Sequence, residues 1–159
     1  MIAIVDYGVG NLFSLSSSVK SLGAEVRVTR DAADLRAADH ILLPGVGAFA
    51  DAMAKLEATG LVQILREETQ KKPLLGICLG MQLLFEESYE YGAHRGLGLI
   101  PGAVCPLADD LRDPALKVPH IGWNALNIVP GREADPLFKY IQNGEYVYYV
   151  HSYYAKNCA

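Results

Sequence analysis

Leu74-Leu75-Gly76-Ile77-Cys78-Leu79-Gly80-Met81-Gln82 sets an apolar, buried-type run against a cysteine held between two glycines. The form is Gly-x-Cys-x-Gly at a strand-to-helix junction, a nucleophile elbow with cysteine in the place of serine. Such a turn forces its central residue into a strained backbone conformation, so small neighbours are required, and Gly76 and Gly80 supply them. The sulfur then stands at the start of a helix, where unpaired backbone N–H groups favour negative charge. The N–H of Leu79 is placed to stabilise an oxyanion at the same spot. The alternative on these residues alone is a buried structural cysteine at a tight turn, since free cysteine is among the most buried residue types.

Working outward, the first half alternates strand and helix signals. Ile2–Asp6 reads as a strand followed by the turn Tyr7-Gly8-Val9-Gly10. Asn11 caps a helix whose apolar positions Leu12, Leu15, Val19 and Leu22 recur at helical spacing, with Gly23 closing it. Glu25–Thr29 and Ile41–Leu43 are further strands, the latter running into Pro44-Gly45-Val46-Gly47. A helical stretch from Ala48 to Lys71, broken near Thr59-Gly60, leads to a fourth strand at Leu74–Ile77 and a helix from Met81 to Ser88. Strands separated by helices predict an α/β fold, a mostly parallel sheet with helices on both faces. In the second half Pro and Gly become frequent and strand-like pieces replace helices. Gly98–Ile100, Ala103–Pro106, Trp123–Val129 and Glu145–Tyr154 predict a small antiparallel extension, with one short helix near Leu137–Ile141.

In an open parallel sheet, ligands bind beyond the carboxyl ends of the strands, so the Pro44–Gly47 loop belongs beside Cys78. It offers a second backbone donor, Val46 or Gly47, although it also reads as an ordinary βα turn. A dinucleotide site at Gly8-Val9-Gly10 is excluded, because the third glycine of that fingerprint would fall at Phe13.

Composition narrows the remaining classes. The 159 residues fit a single domain, with 51% hydrophobic and 20% charged residues, enough to build a core. Net charge is −4 without a basic cluster, which argues against nucleic-acid or anionic-membrane surfaces. The start, Met1-Ile2-Ala3-Ile4-Val5-Asp6, lacks the pattern of a signal peptide, and no apolar run is long enough to span a bilayer. Three scattered cysteines (Cys78, Cys105 and Cys158) support neither a disulfide framework nor a metal site. The expected location is cytoplasmic, with no metal and no cofactor.

The motif Gly-Ile-Cys-Leu-Gly-Met-Gln resembles the nucleophile segment of class I glutamine amidotransferases. Asp6-Tyr7-Gly8 with Gly10-Asn11-Leu12, Pro44-Gly45-Val46-Gly47, Pro119-His120-Ile121-Gly122-Trp123-Asn124 and Val150-His151-Ser152-Tyr153 narrow the resemblance to the glutaminase subunits of imidazole glycerol phosphate synthase. It runs the length of the chain. The resemblance implies that Cys78 attacks the carboxamide of L-glutamine to form a glutamyl thioester, with Val46 and Leu79 N–H groups as the oxyanion hole. It also implies that Gly47, Gln82, Glu90, Ser152 and Tyr153 hold the substrate. Ammonia would pass to a β/α-barrel cyclase subunit docked through Asn11, Trp123, Asn124 and Tyr148. That subunit would make imidazole glycerol phosphate and an aminoimidazole carboxamide ribotide in histidine biosynthesis, and its ligand would raise glutaminase activity. Read from the residues alone, Gln82 and Glu90 also fit solvated positions, and Trp123 and Tyr148 also fit packing roles. His120 and His151 read as structural hydrogen-bonding residues, His40 and His94 as surface loop residues.

The sequence departs from the resemblance in one respect. The family carries a His-Pro-Glu segment downstream of the cysteine, its His acting as general base and acid, and none of His40, His94, His120 or His151 is followed by Pro-Glu. The expectation is therefore a single glutamine amidotransferase domain over 1–159, truncated at its C-terminus by roughly forty residues and inactive alone. It would be a shortened gene product, a partial reading frame or a fragment. Competing readings are a non-catalytic docking or regulatory subunit of the cyclase, an amidotransferase subunit of another synthase (anthranilate or guanylate), and a cysteine hydrolase unrelated to glutamine.

Overall fold

The computed structural model describes residues 1–113 and 115–158. They form two compact units, Met1–Cys105 with the chain from Ala155 onward, and Pro106–Tyr154. In the first unit the order is β1 (Ile2–Val5), α1 (Leu12–Ser21), β2 (Val26–Thr29), α2 (Ala32–Ala37), β3 (His40–Leu43), α3 (Phe49–Ala58), α4 (Val62–Glu68), β4 (Leu74–Gly76) and the single turn α5 (Leu79–Gln82). Strands β5 (Phe85–Ser88), β6 (His94–Arg95) and β7 (Ile100–Pro106) follow.

The first four strands form a parallel sheet in the order β2-β1-β3-β4. The chain steps one way from β1 to β2 and the other way through β3 and β4. Right-handed crossovers then place α1 on one face and α2, α3 and α4 on the other. The second face carries the core: Val5, Ile41 and Leu43 of the sheet are sealed against Leu35, Phe49, Leu56 and Leu65. On the first face, register aligns Val28, Ile4, Leu42 and Leu75 across the four strands. Its centre is covered but its flanks are open, with Val28 40% and Leu75 50% exposed. Helix α1 begins at the Asn11 cap, whose side chain accepts from Ser14 N–H, and none of its residues is fully buried.

All four strands point their carboxyl ends the same way. The turns at Asp6–Gly10 and Pro44–Gly47 and the elbow at Cys78 therefore share one edge, the edge where open α/β sheets bind ligands. The point where strand order reverses lies between β1 and β3.

Several expectations need correction. The helix expected over Met81–Ser88 starts at Leu79 and ends at Gln82, and Phe85–Ser88 is a strand. The apolar run Leu83-Leu84-Phe85 fits either period, and pairing decided it: β5 lies between β6 and β7. Pairing of β5 with β7 is parallel and with β6 antiparallel, so this second sheet is mixed, while the expected antiparallel extension is formed by His120–Ala125 and Tyr146–His151. Helix α2, whose Asp31 cap accepts from Ala33 N–H, has no counterpart among the expected elements. Its six residues bury only Leu35, too little apolar periodicity to register in sequence.

The second unit holds an antiparallel ribbon, β8 (His120–Ala125) against β9 (Tyr146–His151), with His120 opposite His151 and Trp123 opposite Tyr148. The start of β10 (Tyr153–Lys156) follows it. Single 3-10 turns lie at Leu107–Asp109 and Pro136–Phe138, the latter in place of the helix expected at Leu137–Ile141. No described residue of 106–154 is fully buried.

Candidate active site

Cys78 sits at φ 54° and ψ −119°, a conformation that L-residues avoid and that costs roughly 1–3 kcal/mol. Its side chain is exposed and unpaired. The flanking glycines are required by contact: a Cβ on Gly76 would lie 2.5 Å from Met81 Cα, and one on Gly80 would lie 1.9 Å from the Leu43 carbonyl oxygen. The elbow is thus pressed onto the end of β3, whose Leu43 carbonyl also accepts from Ile77 N–H at 3.0 Å. In the turn that follows, Gly80 N–H donates to the Ile77 carbonyl, and Met81 and Gln82 N–H donate to that of Cys78. The N–H of Leu79, first residue of α5, is left out of these bonds, as the leading N–H of a helix is. Because α5 is four residues long, it contributes local N–H groups and little summed dipole.

The Pro44–Gly47 loop lies directly against this turn. A Cβ on Gly45 would stand 2.5 Å from Gly80 N and 2.9 Å from Leu79 Cβ. Val46 is 58% exposed, and Gly47 adopts φ +97°, which frees the Val46–Gly47 peptide from side-chain constraint. Among the described residues, the N–H groups of Gly45, Val46 and Gly47 make no hydrogen bond. Backbone donors without a partner among the described residues therefore stand on the elbow, at Leu79, and on the adjoining loop, at Val46 and Gly47.

Both ends of the loop are tied. At its start the Tyr7 hydroxyl, from the turn after β1, donates to the Pro44 carbonyl at 2.6 Å in a buried setting. Burial pushes the Tyr7 phenol up to about 12, so it stays a donor across the physiological range. At the loop's far end a Glu90 carboxylate oxygen accepts from Phe49 N–H, capping α3. Sequence reading assigned no role to Tyr7; the signal was a single phenol in a turn otherwise made of small residues. Near it, the Arg30 guanidinium holds the Asp6 carboxyl below the usual range across a 2.6 Å pair.

The structure brings Cys78, Leu79, Val46, Gly47 and Glu90 to one edge of the first unit. Gln82 lies on α5, half-buried. Asn11 is occupied in capping α1. Ser152 and Tyr153 belong to the second unit, where the Ser152 carbonyl accepts from Leu107 N–H and the Tyr153 carbonyl lies 3.1 Å from His151 Nδ1. Trp123, for which the residue type alone favours a core position, is 65% exposed and lies tilted against Tyr148, itself 53% exposed, with ring centroids 5.5 Å apart. Asn124 Oδ1 meets His120 Nε2 at 2.9 Å. His40 begins β3, at the sheet edge opposite Cys78, and His94 lies in β6, so both occupy strands where loops were expected. Among the described residues no cluster of three or more His, Cys, Asp or Glu could hold a metal. No helix among them is long and apolar enough to cross a membrane.

Comparison with known proteins agrees with this geometry. The family model described as "Glutamine amidotransferase class-I" matches residues 3–159. The chain is 49% identical over 157 residues to "Imidazole glycerol phosphate synthase subunit HisH" of Syntrophotalea carbinolica, covering 97% of this chain and 75% of the relative. It is also 49% identical to the protein of that name from Listeria monocytogenes, over 99% of this chain and 73% of the relative. A solved structure titled "Crystal structure of glutamine amidotransferase" superposes with a TM-score of 0.68 at 16% identity, over the whole chain and 76% of its own, which shows the shared fold. The chain belongs to the class I glutamine amidotransferase family.

Proposed function

We propose that this chain carries the glutaminase site of an imidazole glycerol phosphate synthase. One observation carries the reading: an exposed cysteine held at positive φ by two contact-bound glycines, in a chain about half identical to HisH proteins along nearly its full length. In this reading the Cys78 thiolate attacks the side-chain carbonyl carbon of glutamine. A C–S bond forms as the carbonyl π pair moves to oxygen, and the N–H groups of Leu79 and Val46 hold that oxygen once the Val46 peptide has turned towards it. The C–N bond then breaks, the leaving nitrogen takes up a proton and departs as ammonia, and water hydrolyses the glutamyl thioester. Glu90 would hold the α-ammonium of glutamine through the carboxylate oxygen not bound to Phe49. Gly47 and Gln82 would line the same substrate. The proton transfers require a general base of the kind the family places in a His-Pro-Glu segment, and no histidine of these 159 residues stands in that context.

The relatives are named as subunits, so the product has a partner to go to. In this reading that partner is a barrel-shaped cyclase that takes the ammonia, docking against Asn11 and against the ribbon that exposes Trp123, Asn124 and Tyr148. A cytoplasmic location goes with it, supported by three cysteines that are all unpaired. The test is affinity labelling with a glutamine-derived chloromethyl ketone. Cys78 should react far faster than Cys158, and L-glutamine should protect it. Equal labelling of the two exposed thiols would end the reading. Glutamate release assayed with the cyclase, against a Cys78→Ala control, separates an ammonia-supplying subunit from a docking subunit.

A further inference from the structure

We infer that Tyr7 is a positioning residue for glutamine hydrolysis, its hydroxyl holding the Pro44 carbonyl so that the Val46–Gly47 peptide pivots beside Cys78 from a fixed base. The inference rests on the proposed function, in which that peptide supplies an oxyanion donor.

The geometry supports it at three points. First, the bond is long-range and buried. Tyr7, 3% exposed, reaches from the turn after β1 to the loop after β3, across the point where strand order reverses. Second, it fixes more than one carbonyl. In a planar trans peptide the C=O and the following N–H point oppositely, so anchoring the Pro44 oxygen also sets the direction of Gly45 N–H and of the chain entering Val46. Third, the contacts around it leave little slack. A Cβ on Gly10 would touch Pro44 Cβ at 3.0 Å, Gly45 is wedged on Gly80, and Glu90 holds Phe49 at the loop's other end. The loop is thus clamped at both ends, with Val46 and Gly47 exposed between the clamps. An oxyanion donor gains its effect from being pre-placed, so loosening one clamp should weaken capture of a developing oxyanion while leaving the thiol itself unchanged.

The test compares two thiol reagents on the intact chain and on Tyr7→Phe. Iodoacetamide reports the reactivity of Cys78 without the glutamine site. With the glutamine-derived chloromethyl ketone, Cys78 Sγ bonds to the methylene carbon as chloride leaves, and the ketone oxygen occupies the place of the carboxamide oxygen. The expected result is a fall of about 10-fold in the ketone rate relative to the iodoacetamide rate, less than loss of a whole oxyanion donor. Hydrogen exchange should stay unchanged at 41–43, which shows that the variant is folded. An unchanged ratio would overturn the inference. Slowing of both reagents together, or faster exchange through β3, would overturn it too, by reducing Tyr7 to a general stabiliser. If the unsubstituted chain shows no preference for the ketone at Cys78, the proposed function fails first, a result distinct from a failure confined to Tyr7.

Discussion

At the scale of single residues, the site is governed by backbone positions that tolerate only certain side chains. Cys78 holds φ 54°, so Cys78→Gly, which removes the Cβ conflict, should abolish labelling at this position yet raise stability by about 1 kcal/mol in urea unfolding. Cys78→Ala should lose labelling with no such gain. Gly80→Ala should act in the opposite direction, since its methyl would meet the Leu43 carbonyl oxygen at 1.9 Å and β3 cannot retreat from the sheet. A loss of about 3 kcal/mol or more is expected. Gly47→Ala meets no atom and should cost only about 1–2 kcal/mol through its φ of +97°. The elbow was legible in sequence because strain of this kind restricts residue types at three alternate positions, 76, 78 and 80. Tyr7 was not, because its partner lies 37 positions away and a phenol in a turn has many uses.

Elements owe their places to pairing and to anchors that sequence shows only in part. The Glu68 carboxylate, at the end of α4 and buried, accepts from Lys71 and Lys72 at 2.8 Å each, and Lys72 also donates to the Leu35 and Arg36 carbonyls at the end of α2. Hydrogen bonds from Lys71, then Lys72, hold the Glu68 pKa down to about 2 from 4.5. A depressed carboxylate stabilises the fold above its unfolded pKa, so this contribution should be whole above pH 4.5 and vanish as pH falls towards 2. Urea midpoints should follow that course, and Glu68→Gln should flatten it. The two faces of the parallel sheet give a second contrast. Leu43→Ala, in the sealed core, should cost about 2–5 kcal/mol, whereas Leu75→Ala on the half-open face should cost under about 1.5 kcal/mol. Equal losses would mean that Leu75 is covered in solution.

At the scale of the molecule, stability is unevenly shared. The fully buried side chains all belong to the first unit, while the described part of 106–154 has none and relies on a two-stranded ribbon, an arrangement marginal by itself in water. Native-state hydrogen exchange should therefore show β8 and β9 exchanging well before β1 and β3, and limited proteolysis should cut first within 106–154. Comparable protection of the ribbon and the sheet would contradict this. Trp123, the chain's only tryptophan, reports on the same surface: its emission should be that of a wet indole in the free chain and, under the proposed docking, move to the blue on addition of the cyclase.

The sequence by itself determined the strand–helix alternation of the first half apart from α2, the cap at Asn11, the break near Gly60 and the elbow at Cys78. Each of these rests on forces acting between near neighbours: hydrophobic period, capping and backbone sterics. Only the tertiary structure decided that Phe85–Ser88 is a strand, that β5 and β7 run parallel, and that Tyr7 and Glu90 hold the two ends of the Pro44–Gly47 loop. Those outcomes depend on which distant segments meet, where the free energy lies in contacts between residues far apart along the chain.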